Sequence, residues 1–594
     1  MDLVIAASEA QGWIRRPYNP KYDWQSWGSA FSDLRSAAGR CGPHLQAELG
    51  TDFGDLVAAI QGTPAQLAAS QSVVDGALAK LRARWPEPSV AVAAWLDLVA
   101  ACRDPHLGSD VLAGRRDLFW AILSAGGRNA RSTGNLLAGI LADSAAYVIE
   151  GRVVAGDIKR GDVAVWPRSD HLAGLEDAQR VALCERVLAA PPHRGHHVVW
   201  LAFAHAHIHA GTQVMGPITF YWSHWVRAVV EHGGPSRDHL PAELKNPESW
   251  LSATDIPELQ DVVLARVDLG SGAIADPVAR ATDLVHAAVA LAKFHTGTTN
   301  WKAMNGHLHA VDDRVVSFSP FLPPFEPPGV APYLDATGDE LARLAADLGP
   351  HLPAVGRDLH DAIDVLHWWH EAGDRSALAA VLLDVRVVEF VASRAGGKSW
   401  HKFLDETLKN AWIRDEARLR LLNTCTEAAG SFDMVAAEHH ETLQALYKVI
   451  VEYDGAGAST LHVDEALKAL PTLTATYPPH SRLGRRLAAL SNRLNSPAAL
   501  HRWSDELESE WKTCRDRLQR VRNALAHGGP ASEAVVASVA PFGRQLAARA
   551  LSVAIHGLLD GRGISAAHAE MQKEALGWRT GLAGAPDVAT ALFR

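Results

Sequence analysis

The stretch HRWSDELESEWKTCRDRLQRVRNALAHGGP, residues 501–530, decides how the chain is read. Its apolar positions are Trp503, Leu507, Trp511, Cys514, Leu518, Val521 and Leu525. They recur at steps of four and three, which lays one stripe along an α-helix. Asp505, Glu506, Glu508, Arg515 and Arg520 fall off the stripe. Gly528, Gly529 and Pro530 then stop the helix, because glycine accepts a left-handed cap and proline cannot continue it. His527 therefore lies in the last turn, with Arg522 about a turn and a half before it. Five residues of helix separate the two by ~7.5 Å of rise and ~140° of rotation. They are not a direct pair within one ideal helix. A bound phosphate spanning them, or a second copy of the helix crossing nearby, would bring both to one substrate.

Arg522, Asn523 and His527 are a chemically sensible trio. Histidine titrates near neutral pH and moves protons. Arginine grips a phosphoryl oxygen with two hydrogen bonds and opposes growing negative charge. Asparagine orients either partner without adding charge. RNA carries its own nucleophile, the 2′-hydroxyl, so such a site cuts RNA without a metal. The bland alternative is a polar helix end, since cations are ordinary in a last turn.

The helical pattern extends outward from this stretch. TGDELARLAADL, RDLHDAIDVLHWWHEAG, SALAAVLLDVRVVEFVAS and FDMVAAEHHETLQALYKVIVEY all carry three- and four-residue spacing, as does 538–558. Upstream, FSPFLPPFEPPGVAP (318–332) has five prolines between 320 and 328, through which neither helix nor central strand continues. It marks a boundary or connector. Residues 156–330 read as mixed. LEDAQRVALCERVLAA and 275–298 are helical, LQDVVLARVDL (259–269) is helix or strand, and RGDVAVWP is a short strand. GHLHAVDDRVVSFSP is a hairpin turning at Asp312 and Asp313. Residues from about 50 to 155 read as helices, and another begins near Trp27. The expected domains are a helical 1–155, a mixed 156–330, a helical 331–575 and a tail, 576–594. The expected class is mainly α, with a mostly helical N-terminal half containing a few short strands.

At 594 residues the chain is long enough for roughly two to four domains. Its 48% hydrophobic and 21% charged content is globular. A formal charge of −10, with no basic run, argues against a protein that coats nucleic acid, though not against one RNA-binding cleft. Five cysteines without a Cys-x-x-Cys pair suit a reducing cytoplasm. No apolar run reaches the ~18 residues of a membrane span, and the N-terminus lacks a signal-peptide pattern.

RNALAH, 522–527, resembles the motif of the HEPN superfamily: arginine, four to six residues, then histidine, often with a polar residue after the arginine. AAVLLDVRVVEFV (379–391), with Asp384, Arg386 and Glu389, is similar to the early helices of that family's bundle. The resemblance covers about 355–560 and is specific over 500–530. It implies a HEPN-like helical bundle with Arg522 and His527 as catalytic pair and Asn523 as companion. Arg520 fits the six-residue spacing, ranks second, and is a candidate for binding the RNA substrate. It implies a metal-independent endoribonuclease leaving 2′,3′-cyclic phosphate and 5′-hydroxyl ends on tRNA or mRNA, with no cofactor. A homodimer with facing motifs, a toxin or antiphage role, and a trigger or antitoxin partner follow from the same likeness.

Other tracts carry competing chemistry. SRAGGKSWHKF (393–403) has Gly397-Lys398-Ser399 but Ala392 where a phosphate loop needs its first glycine. Arg394, Lys398 and Lys402 remain candidates for RNA phosphate, with Trp400 as a stacking surface. His205, His207 and His209 align on a strand but not on a helix, and the Ala-rich setting favours helix. His307 and His309 pose the same question. With 29 histidines in the chain, packed and surface roles account for such clusters. Two other functions stand beside the ribonuclease: a non-catalytic helical scaffold that binds RNA or protein, and a histidine-based metal hydrolase. SAGGRNARSTGN (124–135) lacks the Lys-Ser/Thr of a phosphate loop and reads as a solvated turn.

Overall fold

The stripe of 501–530 lies on one continuous helix, Pro497–His527, in a computed structural model of the chain. The structure describes all residues except 1, 20–23, 159–173, 192–193, 207, 209–211, 233–239, 246–261, 275, 297–300, 323–356, 374–375, 398, 433–434, 454–458 and 594. The helix starts where the Ser496 hydroxyl accepts from the Ala499 amide, with Pro497 at its first position. It ends at Gly528, which adopts φ 68° and ψ 31°. At 1.5 Å per residue its 31 residues span about 46 Å.

That length lets one helix serve two cores. Leu500, Trp503 and Leu507 pack with Leu421, Leu473, Leu487 and Trp578. Trp511, Leu518 and Val521 pack with Val388, Phe403, Phe542 and Leu546. The first core gathers helices Lys409–Gly430, Val463–Thr476 and Arg482–Arg493. The second gathers Ala377–Arg394, Ala540–Leu559 and Ile564–Gly581. Between helix Trp400–Phe403 and helix Lys409–Gly430 the chain makes one π-helical turn, Leu404–Leu408.

By internal contacts the chain forms two units: residues 1–84, 93–119 and 335–594, and residues 85–92 and 120–334. This differs from the expected order of domains. Helices Leu3–Ile14 and Trp24–Gly39 belong with the C-terminal helices instead of standing as part of a separate 1–155 domain. The reason is ionic: their carboxylates Glu9 and Asp33 are the buried partners of arginines on the Pro497–His527 helix. The expected tail is not a tail either. Helix Ile564–Gly581 runs through 576, and Trp578, Leu582, Ala591 and Leu592 are buried. The Trp578 indole donates to the Ala591 carbonyl at 2.8 Å.

The other unit holds more strand than expected. β1 (Arg194–Ala204), β2 (Thr212–Met215), β3 (Ile218–Trp222), β4 (Val262–Ala273), β5 (Lys302–Ala303), β6 (Asn305–Val311) and β7 (Arg314–Leu322) form one sheet. Its order is β2-β3-β4-β1-β6-β7, with β5 also on β1, and the pairs are antiparallel. β1 alternates cleanly: Val198, Trp200 and Ala202 enter one core, Val199, Leu201 and Phe203 the other. With both faces covered, β1 reads as a continuous apolar run and hides its period of two. The turn at Asp312 (φ 48°) and Asp313 (φ 62°) closes the β6–β7 hairpin, as expected. Helices Asp177–Ala189 and Pro277–Thr296 also form as expected, and 262–273 is strand. The expected strand in RGDVAVWP and most of the proline-rich connector lie outside the described residues. The protein is thus mainly α, with a mixed N-terminal region and a helical C-terminal region. Among the described residues no helix is long and apolar enough to cross a membrane.

Candidate functional site

The second half of the Pro497–His527 helix turns three different faces to its surroundings. The apolar face is the stripe already described. A second face carries Arg517 and Arg520, both buried. Arg520 is 1% exposed, and its guanidinium donates to both carboxyl oxygens of Glu9 at 2.8 and 2.9 Å and to Asp33 at 2.8 Å. Arg517 donates to both Asp33 oxygens at 3.0 and 3.2 Å. Burial pushes the Asp33 carboxyl up, but the hydrogen bond and charge of Arg517, with Arg520, more than reverse this and leave it below the usual range. Arg520 therefore cannot reach an RNA phosphate. Its donors are committed inside the protein, which corrects its place among the substrate-binding candidates.

The third face carries Arg515, Arg522 and Asn523. Arg522 is 29% exposed and donates to Glu389 of helix Ala377–Arg394 at 2.8 Å. It also reaches the Asn523 side-chain oxygen at 3.4 Å. Arg386 stands 3.6 Å from the other Glu389 oxygen. Arg515 donates to Asp405, in the π-helical turn, at 2.7 Å. The Trp511 indole lies 3.5 Å from the same carboxylate.

His401 stands in the field of this face, and sequence reading passed over it. Burial pushes its imidazole below the ordinary histidine value, and the charges of Arg522 and Arg515 push it further, against Asp405 and Glu389. Among the described residues its Nδ1 is buried without a hydrogen-bond partner, and its ring lies 4.1 Å from that of Trp400. The available signal was helical position: Trp400 and His401 open the helix that leads into Asp405. No chain neighbour of the Arg-x4-His motif pointed to it.

His527 is exposed, and no hydrogen bond or ion pair among the described residues holds it. Seven residues after Arg520, it falls on the Arg520 face of the helix, ~140° from Arg522. The arginine this chain brings near that end is Arg16. A Cβ on Gly529 would meet the Arg16 guanidinium at 2.7 Å. Within one chain, then, Arg522 reaches Asn523 but is turned away from His527, which lies one helical turn beyond Asn523. Arg394 and Lys402 are exposed, with the Arg394 guanidinium 5.5 Å from the Phe390 ring. Lys398 lies outside the described residues.

No family model, curated protein or solved structure matches this chain.

The histidine tracts build structure. His205 follows the end of β1 in a bend at φ 53°, so the tract leaves a strand and does not begin the expected helix there. The β-branched and aromatic run Val198–Phe203 overrides the alanines. His207 and His209 lie outside the described residues. His197 and His309 are buried and share a 3.0 Å ring-to-ring hydrogen bond. Asp312 is used locally, accepting from the His196 amide at 2.9 Å. Among the described residues no group of three or more His, Cys, Asp or Glu is placed to hold a metal ion. Nor is 124–135 a solvated turn: Arg128 caps helix Asp177–Ala189 by donating to the carbonyls of Val187 at 3.2 Å and Leu188 at 2.7 Å.

Proposed function

We propose that the protein is a metal-independent endoribonuclease of HEPN type whose active cleft is shared by two copies of the chain. One observation carries this reading. Arg522 is held by Glu389 and reaches Asn523, whereas His527, on the same helix, is exposed and makes no hydrogen bond or ion pair among the described residues. One copy would supply an oriented arginine and the other a free histidine. The histidine takes the proton of the 2′-hydroxyl or gives one to the leaving 5′-oxygen. Arg522, with Asn523, opposes charge on the phosphorane-like transition state. Cleavage leaves a 2′,3′-cyclic phosphate and a 5′-hydroxyl. The RNA class, the toxin or defence setting and the trigger belong to the same proposal.

A non-catalytic scaffold is the second reading, and the Arg522–Glu389 ion pair favours it, because an arginine already satisfied by a carboxylate is an ordinary packing residue. One experiment separates them. Purified protein is incubated with a mixed RNA pool in EDTA, alone and with total cell extract, and product ends are mapped. His527→Ala and Arg522→Ala are expected to lower cleavage at least ~100-fold while melting like the wild type. Cyclic-phosphate ends produced equally by both variants would end the assignment. RNA bound but never cut, with or without extract, supports the scaffold.

A further inference from the structure

A cavity of about 490 Å³ lies within the helical unit, between helices Lys409–Gly430, Val463–Thr476 and Ala540–Leu559. That volume falls in the range of small-molecule sites. Most of its wall is apolar, including Leu408, Trp412, Leu422, Val463 and Leu546. Two arginines, Arg418 and Arg549, and two carboxylates, Asp415 and Glu416, also line it.

The lining charges are two against two, but they are not paired evenly. Arg549 pairs with Asp415, and Arg414 stands 3.5 Å from the same carboxylate. Arg418 spends its guanidinium on the Leu592 carbonyl, at 3.0 and 2.7 Å, which is neutral. Glu416 faces Arg420 at 2.8 Å, and Arg420 also pairs with Glu510. Arg414 and Arg549 thus share Asp415, and among the described residues Arg418 makes no ion pair with a carboxylate. Among the described residues the Nε atom of Arg549 is buried with no acceptor. Burial, then the neighbouring Arg414, lowers the Arg418 pKa despite Asp415, with Arg549 adding to the effect. An unmatched buried donor and an arginine without a carboxylate, both beside an apolar cavity, are complementary to a molecule with an apolar body and one anionic head.

We propose that this cavity binds a small amphipathic carboxylic acid, its carboxylate facing Arg549 and Arg418 and its apolar body against Trp412, Leu422 and Leu546. Trp412 is held for this role. Its indole donates to Gln545 at 3.0 Å, and its ring packs on Trp511 and Phe542 at 5.5 Å each. The site does not depend on the ribonuclease reading, since none of Arg522, Asn523 or His527 lines it.

The test is calorimetric titration of the full chain with decanoate, indole-3-acetate and uncharged decanol. At least one acid is expected to bind with a single site per chain and at least tenfold more tightly than decanol. The preferred acid tells an aliphatic ligand from an aromatic one. Arg549→Gln should weaken that acid at least tenfold. Ala548→Phe, which fills the cavity without touching a charge, should abolish binding. Both variants are melted beside the wild type, so a folding defect is recognised. Failure of both acids to bind overturns the proposal. So does decanol binding as tightly as the acids, or unchanged affinity in a natively folded Ala548→Phe.

Discussion

Two residues of helix turn a side chain by ~200°, and that rotation separates Arg520 from Arg522. Arg520 enters a buried cluster with Glu9 and Asp33, while Arg522 stays at the surface on Glu389. Both fit an Arg-to-His spacing, so spacing alone could not rank them; burial does. Replacing Arg520 leaves two carboxylates buried with one remaining arginine. Arg520→Met is expected to lower unfolding stability by about 3–5 kcal/mol at neutral pH, measured by denaturant titration. The sign of its pH dependence follows from Asp33, whose carboxyl lies below its unfolded value. Its contribution is full above the unfolded carboxylate pKa and is lost as pH falls through the folded value. The gap between wild type and Arg520→Met should therefore narrow in acid. A gap that widens on acidification would mean Asp33 is not the carboxylate involved.

At the scale of the element, the helix end depends on two glycines for different reasons. Gly528 sits at φ 68°, where an L side chain is strained. Gly529 has an ordinary φ, but a Cβ there would meet the Ala524 Cα at 2.8 Å and the Arg16 guanidinium. Gly528→Ala is expected to cost about 1–2 kcal/mol by thermal melting, and Gly529→Ala to cost more, because backbone must move. Equal melting of both with the wild type would refute this account of the stop signal. The sequence displayed this helix, its stripe and its stop almost completely, because an amphipathic period of 3.6 and a Gly-Gly-Pro break are local signals. The sheet was less legible. β1 is covered on both faces, so its apolar run carries no alternation, and its partner β4 is 58 or more residues away. The candidate site was half legible. Arg522, Asn523 and His527 share one motif, but Glu389, His401 and Asp405 join the first two only through tertiary packing, which no local pattern encodes.

At the scale of the whole molecule, the helical unit cannot be cut at the expected boundary. A fragment of residues 357–594 retains Arg517 and Arg520 but loses Glu9 and Asp33, together with the helix Trp24–Gly39 that covers them. The two guanidinium groups would lose their carboxylates, and the apolar surface that the helices Leu3–Ile14 and Trp24–Gly39 bury would be open to water. The fragment is expected to unfold without a cooperative transition by circular dichroism, unless residues 1–119 are supplied on a second chain. A sharp melt for the fragment alone would show that the C-terminal helices are self-sufficient.

The distance along the chain between these partners also sets a clock. Arg517 follows Asp33 by 484 residues, and Arg520 follows Glu9 by 511. At ~5–20 residues per second of synthesis, the first helices emerge from the ribosome roughly half a minute to a minute and a half before the arginines that neutralise them. Until then Glu9 and Asp33 can stay hydrated, and the apolar faces of those helices need another cover. A ribosome that stalls before position 517 releases a chain without either arginine, and without the RNALAH segment. Pairing of the buried carboxylates and appearance of the motif therefore come within a few residues of each other in translation.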